Sequence, residues 1–207
     1  MGDAIRDGAP ELSDKFASGR GIDRLESHLS IAAARLITGL GHGVTIRMDN
    51  LEHVYTGLGL DEQNVHAIGH GTGSNGKTVE ECRTEIRAYH IKLMAGLATR
   101  LRSVPEGDGT MLDNTMIVYL SDAGEAHHGT LDEWRFLTVG GCGGRLTLPG
   151  QFIRMPGYGQ VGHGTIGNFY TSISNAYGDP VQHFGDPDFE LEQQGLPQRG
   201  AVPSLIA

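Results

Sequence analysis

Apolar residues recur at helical spacing from Ile22 onward. Ile22, Leu25, Leu29, Ala32, Leu36, Ile37 and Leu40 form one stripe, which Gly39 and Gly41 stop. Val44 to Met48 alternates with β-branched residues and predicts a short strand. The polar stretch from Leu51 to Gly76, punctuated by glycines, predicts a loop. A longer helix follows, with Val79, Cys82, Ile86, Tyr89, Leu93, Leu97 and Leu101 on one face and Pro105 beyond its end. Met116 to Leu120 is apolar throughout, the pattern of a central strand buried on both faces. Phe136 to Val139 predicts another strand, and Ile166, Phe169, Tyr170, Ile173 and Ala176 predict a third helix closed by Gly178 and Pro180. Residues 1–20 and 190–207 are polar and glycine-broken, and read as loosely packed ends of one domain spanning 1–207. Helices alternating with buried strands predict an α/β fold, a mainly parallel sheet flanked by helices.

Charge narrows the function. Against 25 Asp+Glu stand only 16 Lys+Arg, a net −9, and aromatics are 6%, so the basic, ring-bearing surface of a nucleic-acid binder is not expected. No apolar run approaches the ~18 residues of a membrane span. Met1 to Pro10 is no signal peptide, so as written the chain is expected in the cytoplasm, without a membrane partner. Two cysteines, Cys82 and Cys142, make no disulfide framework. Glycine, at 32 of 207 residues, exceeds the usual share of roughly 7% about twofold, which means either long loops or backbone brought close to a ligand.

Two patterns carry candidate chemistry. Gly71-Thr72-Gly73-Ser74-Asn75-Gly76-Lys77-Thr78 satisfies G-x-x-x-x-G-K-[ST] and opens a helix, so it reads either as a phosphate-binding loop or as a glycine loop that caps the helix. The phosphate reading requires a strand directly before the glycines, whereas Asn64 to His70 is short and polar at alternate places. The second pattern is histidine and carboxylate at predicted strand ends. His66 and His70 are spaced i, i+4, Asp122 follows the apolar run, His127 and His128 lie on the same loop, and His163 sits between Gly162 and Gly164 before the third helix. Taken singly, each of these histidines reads as a loop donor or a helix cap. Gathered at one predicted sheet edge, His66, His70, Asp122, His128 and His163 read as ligands of a divalent metal, zinc first, with manganese or iron as alternatives. His28, His42, His53, His90 and His183 read as structural or solvent-facing.

Several segments resemble a known family. Thr110 to Glu125 resembles the strand and metal-binding loop of the alkaline phosphatase/sulfatase superfamily. The closer resemblance is to bacterial proteins of unknown function on that fold, marked by a His-x-x-Ser-His-His signature. It is carried, in order, by His66-Ala67-Ile68-Gly69-His70, Pro105 to Asn114, Ser121-Asp122-Ala123-Gly124, Val139 to Gly144 and Phe184-Gly185-Asp186-Pro187. Ala123 stands where the superfamily has a metal-binding histidine, and Gly69 and Gly71 replace the serine and final histidine of the signature. The N-terminal half that carries the family's nucleophile is not found in this sequence, nor is the twin-arginine leader of its exported members.

The resemblance implies an alkaline-phosphatase/sulfatase-like half-fold and a metal-dependent hydrolase of phosphate esters (mono-, di- or triesters) or sulfate esters. The substrate would be a small-molecule ester, and metal-activated water would stand in for the family's nucleophile. His127 would shuttle a proton and Lys77 would face the leaving oxyanion. A half-fold would also leave apolar surface for a homodimer or larger homo-oligomer to cover. Two other readings stay open: a non-catalytic family member that binds metal or a partner, and a nucleotide binder through Gly71–Thr78.

Overall fold

The computed structural model describes residues 14–121, 135–147, 150 and 152–206. The chain groups into two compact units, Met1–Val104 and Pro105–Ala207.

The first unit opens with helix α1, Gly21–Ile37, which buries Ile22, Leu25, Leu29, Ala32 and Ala33. Its end follows from one glycine. Gly39 takes φ 70°, and the Gly39 and Leu40 amides donate back to the Leu36 and Arg35 carbonyls, closing the last turn. Val44 to Met48, expected as a strand, has no regular structure. The expected loop from Leu51 instead holds strands β1 (Val54–Tyr55) and β2 (Leu60–Asn64), paired antiparallel, and the short helix α2 (Val65–Gly69). Helix α3, Val79–Arg102, starts at Thr78, whose side chain and that of Glu81 cap each other's backbone amides. Ile22, Leu25, Tyr55, Leu60, Ile68, Cys82 and Ile86 form the core of this unit.

In the second unit, strands β3 (Pro105–Glu106) and β4 (Gly109–Thr110) make a small hairpin before helix α4, Met111–Asn114. Strands β5 (Ile117–Leu120) and β6 (Phe136–Val139) pair antiparallel from Ile117↔Val139 to Leu120↔Phe136. Helix α5 spans Ile166–Ala176 and helix α6 spans Phe189–Gln193. The stretch read as a loose end is docked: Leu191, Val202 and Leu205 are buried, and Ile206 bridges to Leu146. Cys142, Leu146, Phe169, Val202 and Leu205 make this unit's core.

The mainly parallel sheet expected from the sequence is absent among the described residues. Every ladder among the described residues is two-stranded and antiparallel. Strand β6 lies beside β5 and runs against it, and it is this neighbour, not a parallel one, that takes up the hydrogen bonds of the apolar run. None of Ile117–Leu120 is fully buried, so the apolar run marks one strand of a ribbon and not the centre of a wide sheet. A short apolar run does not distinguish these two settings. No helix among the described residues is long and apolar enough to cross a membrane.

Candidate functional site

The i, i+4 histidines of the first unit meet. His66 lies in α2, His70 caps its C-terminal end, and their Nε2 atoms stand 3.0 Å apart, with ring centroids 4.8 Å apart. Helix α2 is too short to hold itself, and the chain around it supplies the missing bonds. The Val65 and His66 amides donate to the carbonyls of His53 and Leu51, and the Ala67 amide donates to Asn64 Oδ1. At the other end the Arg83 guanidinium of α3 donates to the Gly69 carbonyl, a cation at a helix C-terminus. Ile68, on the far face, is 2% exposed and anchors the helix in the core.

Two facing Nε2 atoms have only two electrostatically sound arrangements. Either one imidazole donates Nε2–H to the lone pair of the other, or both lone pairs face one cation. Two metal–nitrogen bonds of ~2.0–2.1 Å enclose a nitrogen separation of roughly 2.9–3.4 Å between octahedral and tetrahedral angles. The observed separation lies inside that interval and is also that of an ordinary hydrogen bond between the two rings. Among the described residues, no group of three or more His, Cys, Asp or Glu side chains gathers as a metal site.

The other expected site residues fall as follows. Asp122, His127 and His128 lie outside the described residues. His163 belongs to the second unit, where Nδ1 stands 3.1 Å from the Pro156 carbonyl. A carbonyl only accepts, so Nδ1 carries the proton and Nε2 is the basic nitrogen when the ring is neutral. The Tyr158 ring meets His163 edge-on, its centroid 5.6 Å away, and the Tyr158 hydroxyl donates to the Asp188 carboxylate at 3.0 Å. Packing first, then the Asp188 and Glu190 carboxylates, push the Tyr158 hydroxyl up to about 12. The Leu191 amide, followed by the Tyr158 hydroxyl, the Glu190 amide and the nearby His163, holds Asp188 below the ordinary carboxylate range.

Lys77 is engaged elsewhere: its ammonium donates to Glu85 at 2.6 Å and to the Leu58 carbonyl at 3.3 Å. The surrounding glycine loop is a hairpin. Ser74 bridges Lys77 across Asn75 (φ 51°) and Gly76 (φ 76°), the positive-φ pair of a tight Asn-Gly turn. The amides of Gly71, Thr72, Asn75, Lys77 and Thr78 are already donated within the chain, the last to Glu81. Helix α2, and not a strand, directly precedes the glycines. A phosphate would find those five donors spent.

A second cluster in the first unit was not expected to carry chemistry. His90, read from the sequence as structural or solvent-facing, is 3% exposed in α3, and its Nε2 forms a short hydrogen bond with the Tyr55 hydroxyl. The same hydroxyl lies 3.0 Å from Asp49 Oδ2, and the His53 ring packs on Tyr55 at 4.4 Å. Burial lowers the basicity of both His90 and His53, and the Asp49 carboxylate opposes that shift in each. The signal was in the sequence. Cys82, Ile86, His90, Met94 and Ala98 run at strict fourfold spacing, and that run, not the one through Tyr89, is the fully buried face.

The glycine-rich segment after β6 serves packing. A Cβ on Gly140 would lie 2.1 Å from the Thr115 carbonyl oxygen, and one on Gly141 would lie 2.3 Å from that of Asp113. The glycines bring backbone against backbone. Compared with known protein families, curated proteins and solved structures, the chain matches none.

Proposed function

We propose that the chain is a divalent-metal-dependent hydrolase of phosphate or sulfate esters, with His66 and His70 as two of its metal ligands. The observation that carries this reading is the 3.0 Å approach of the two Nε2 atoms on a helix braced at both ends. Zinc suits two imidazoles, and manganese or iron would accept them with added oxygen ligands. A bound divalent ion would supply Lewis acidity and lower the pKa of water. The residues of this chain do the rest: His66 and His70 present imidazole nitrogens, and α2 fixes their separation. The ester class comes from the sequence resemblance of the segments at 66–70, 105–114, 121–124, 139–144 and 184–187. With Lys77 neutralised by Glu85, the leaving group is assigned no cation from that loop.

Elemental analysis of the full chain, prepared without a histidine tag, and turnover of aryl phosphate and sulfate esters test the proposal together. Stoichiometric divalent metal and chelator-sensitive turnover are expected, both lost in His66→Ala and His70→Ala. Metal-free protein, or hydrolysis indifferent to excess chelator, would contradict it. Metal without turnover of any ester would leave a metal-binding protein that does no hydrolysis.

A further inference from the structure

The buried Tyr55 cluster raises a proton question with one answer. A tyrosine hydroxyl carries a single proton, yet Tyr55 faces the Asp49 carboxylate and the His90 Nε2 at hydrogen-bonding distance. Asp49 as a carboxylate can only accept, so the Tyr55 proton belongs to Asp49 Oδ2. His90 must then donate from Nε2 to the phenolic oxygen. The bonds run in one direction, from His90 through Tyr55 to Asp49, from helix α3 across β1 to the segment before it.

Backbone joins the strand this relay holds to the helix of the metal-ligand pair. Tyr55 lies on β1, 1% exposed, and Leu51 and His53 immediately before it give the carbonyls that accept from the His66 and Val65 amides. These are orphan donors of the first turn of α2, so the course of 51–55 decides where α2 starts and how it is turned. We propose that Tyr55, Asp49 and His90 are positioning residues for the His66/His70 pair, acting as a directed hydrogen-bond relay that holds the strand on which the pair's helix is capped. The inference rests on the metal-binding reading above. Partners that orient metal ligands without touching the metal typically set its affinity within a factor of ten to a hundred.

The test compares zinc affinity, by competition with a chromophoric chelator, in the tag-free full chain and in Tyr55→Phe, His90→Leu and His90→Gln. A His66→Ala/His70→Ala double variant defines the signal of the pair. Glutamine offers an amide N–H near the place of imidazole Nε2–H, whereas leucine fills the space without a donor. Tyr55→Phe and His90→Leu are expected to bind zinc about tenfold more weakly, and His90→Gln to stay within about threefold of the parent. A purely structural role for His90 predicts the reverse order, because leucine suits an apolar core better than glutamine does. Should Tyr55→Phe fail to fold by circular dichroism, the two His90 variants still decide. Imidazole nitrogen NMR of the metal-free parent gives a readout independent of zinc, with His90 expected to carry its proton on Nε2. A parent that binds no zinc brings down the metal reading and this inference with it. A parent that binds zinc, with Tyr55→Phe and His90→Leu binding equally well, overturns the relay alone, as does a His90 protonated only on Nδ1.

Discussion

Both units bury polar side chains, but of different kinds. The first buries groups that titrate: His90 and Tyr55, with Asp49 and His53 against them. The second buries amides and hydroxyls that do not. Asn168 donates to the Gln198 and Gly200 carbonyls at 3.0 and 2.8 Å, and Ser172 Oγ accepts from the Val202 amide at 2.8 Å. Gln198 pairs with the Asp188 backbone through both ends of its amide. This polar seam fastens the C-terminal segment to α5 and needs no ionisation to do so. The same task, satisfying buried polar groups, therefore puts imidazoles in the core of the first unit, whereas in the second the group held off its ordinary pKa nearest the seam is Asp188, which is only partly buried.

The largest effect is expected at Asn168. Its side chain also caps α5 by accepting from the Thr165 amide, so Asn168→Ala removes a cap and takes the donor from one buried and one partly buried carbonyl. The second unit should lose about 3 kcal/mol, read from hydrogen exchange at Phe169 and Thr171. A loss confined to a few tenths would mean that the seam contributes nothing.

Acid sharpens the contrast. Burial, against the opposing Asp49 carboxylate, sets the folded-state pKa of His53 and His90 below the ordinary 6.5. Below that value the unfolded chain binds protons that the folded chain refuses, so stability is fully present above pH 6.5 and is lost as pH falls. Exchange at Ile86 should therefore accelerate on acidification beyond the change seen at Phe169. Equal responses in both units would break the comparison.

Tyr55→Phe should cost the first unit about 1.5 kcal/mol, since it leaves Asp49 and His90 facing each other without the shared hydroxyl. A thermal melt at neutral pH reads it. Smallest is Thr78→Ala, which removes the α3 cap for about 1 kcal/mol. That melt should show no change in zinc binding, because Thr78 pairs with Glu81 and not with α2.

Local signals in the sequence were legible where one residue decides one bond. Gly39 ends α1, Thr78 with Glu81 starts α3, and the His66/His70 spacing puts two imidazoles together. Failures came where two structures share a pattern. The run Ile117 to Leu120 fits a central parallel strand or a ribbon, and pairing with Phe136–Val139 selects the ribbon. Gly71 to Thr78 fits a phosphate loop, yet Asn75-Gly76 at its centre is the stronger local instruction, a two-residue turn. The predicted stripe of α3 shares Cys82, Ile86 and Leu101 with the buried face but takes in Tyr89 and leaves out His90. What the pattern could not show was the partner of His90, because Asp49 and Tyr55 reach it from far along the chain.

The central claim is that His66 and His70 hold one divalent ion between their Nε2 atoms. Imidazole nitrogen NMR of the full chain during a zinc titration tests it most directly. The Nε2 resonances of His66 and His70 are expected to shift together and saturate at the same zinc equivalent, while His90 keeps its metal-free signal. Zinc that leaves both resonances in place, or moves only one of them, would contradict it.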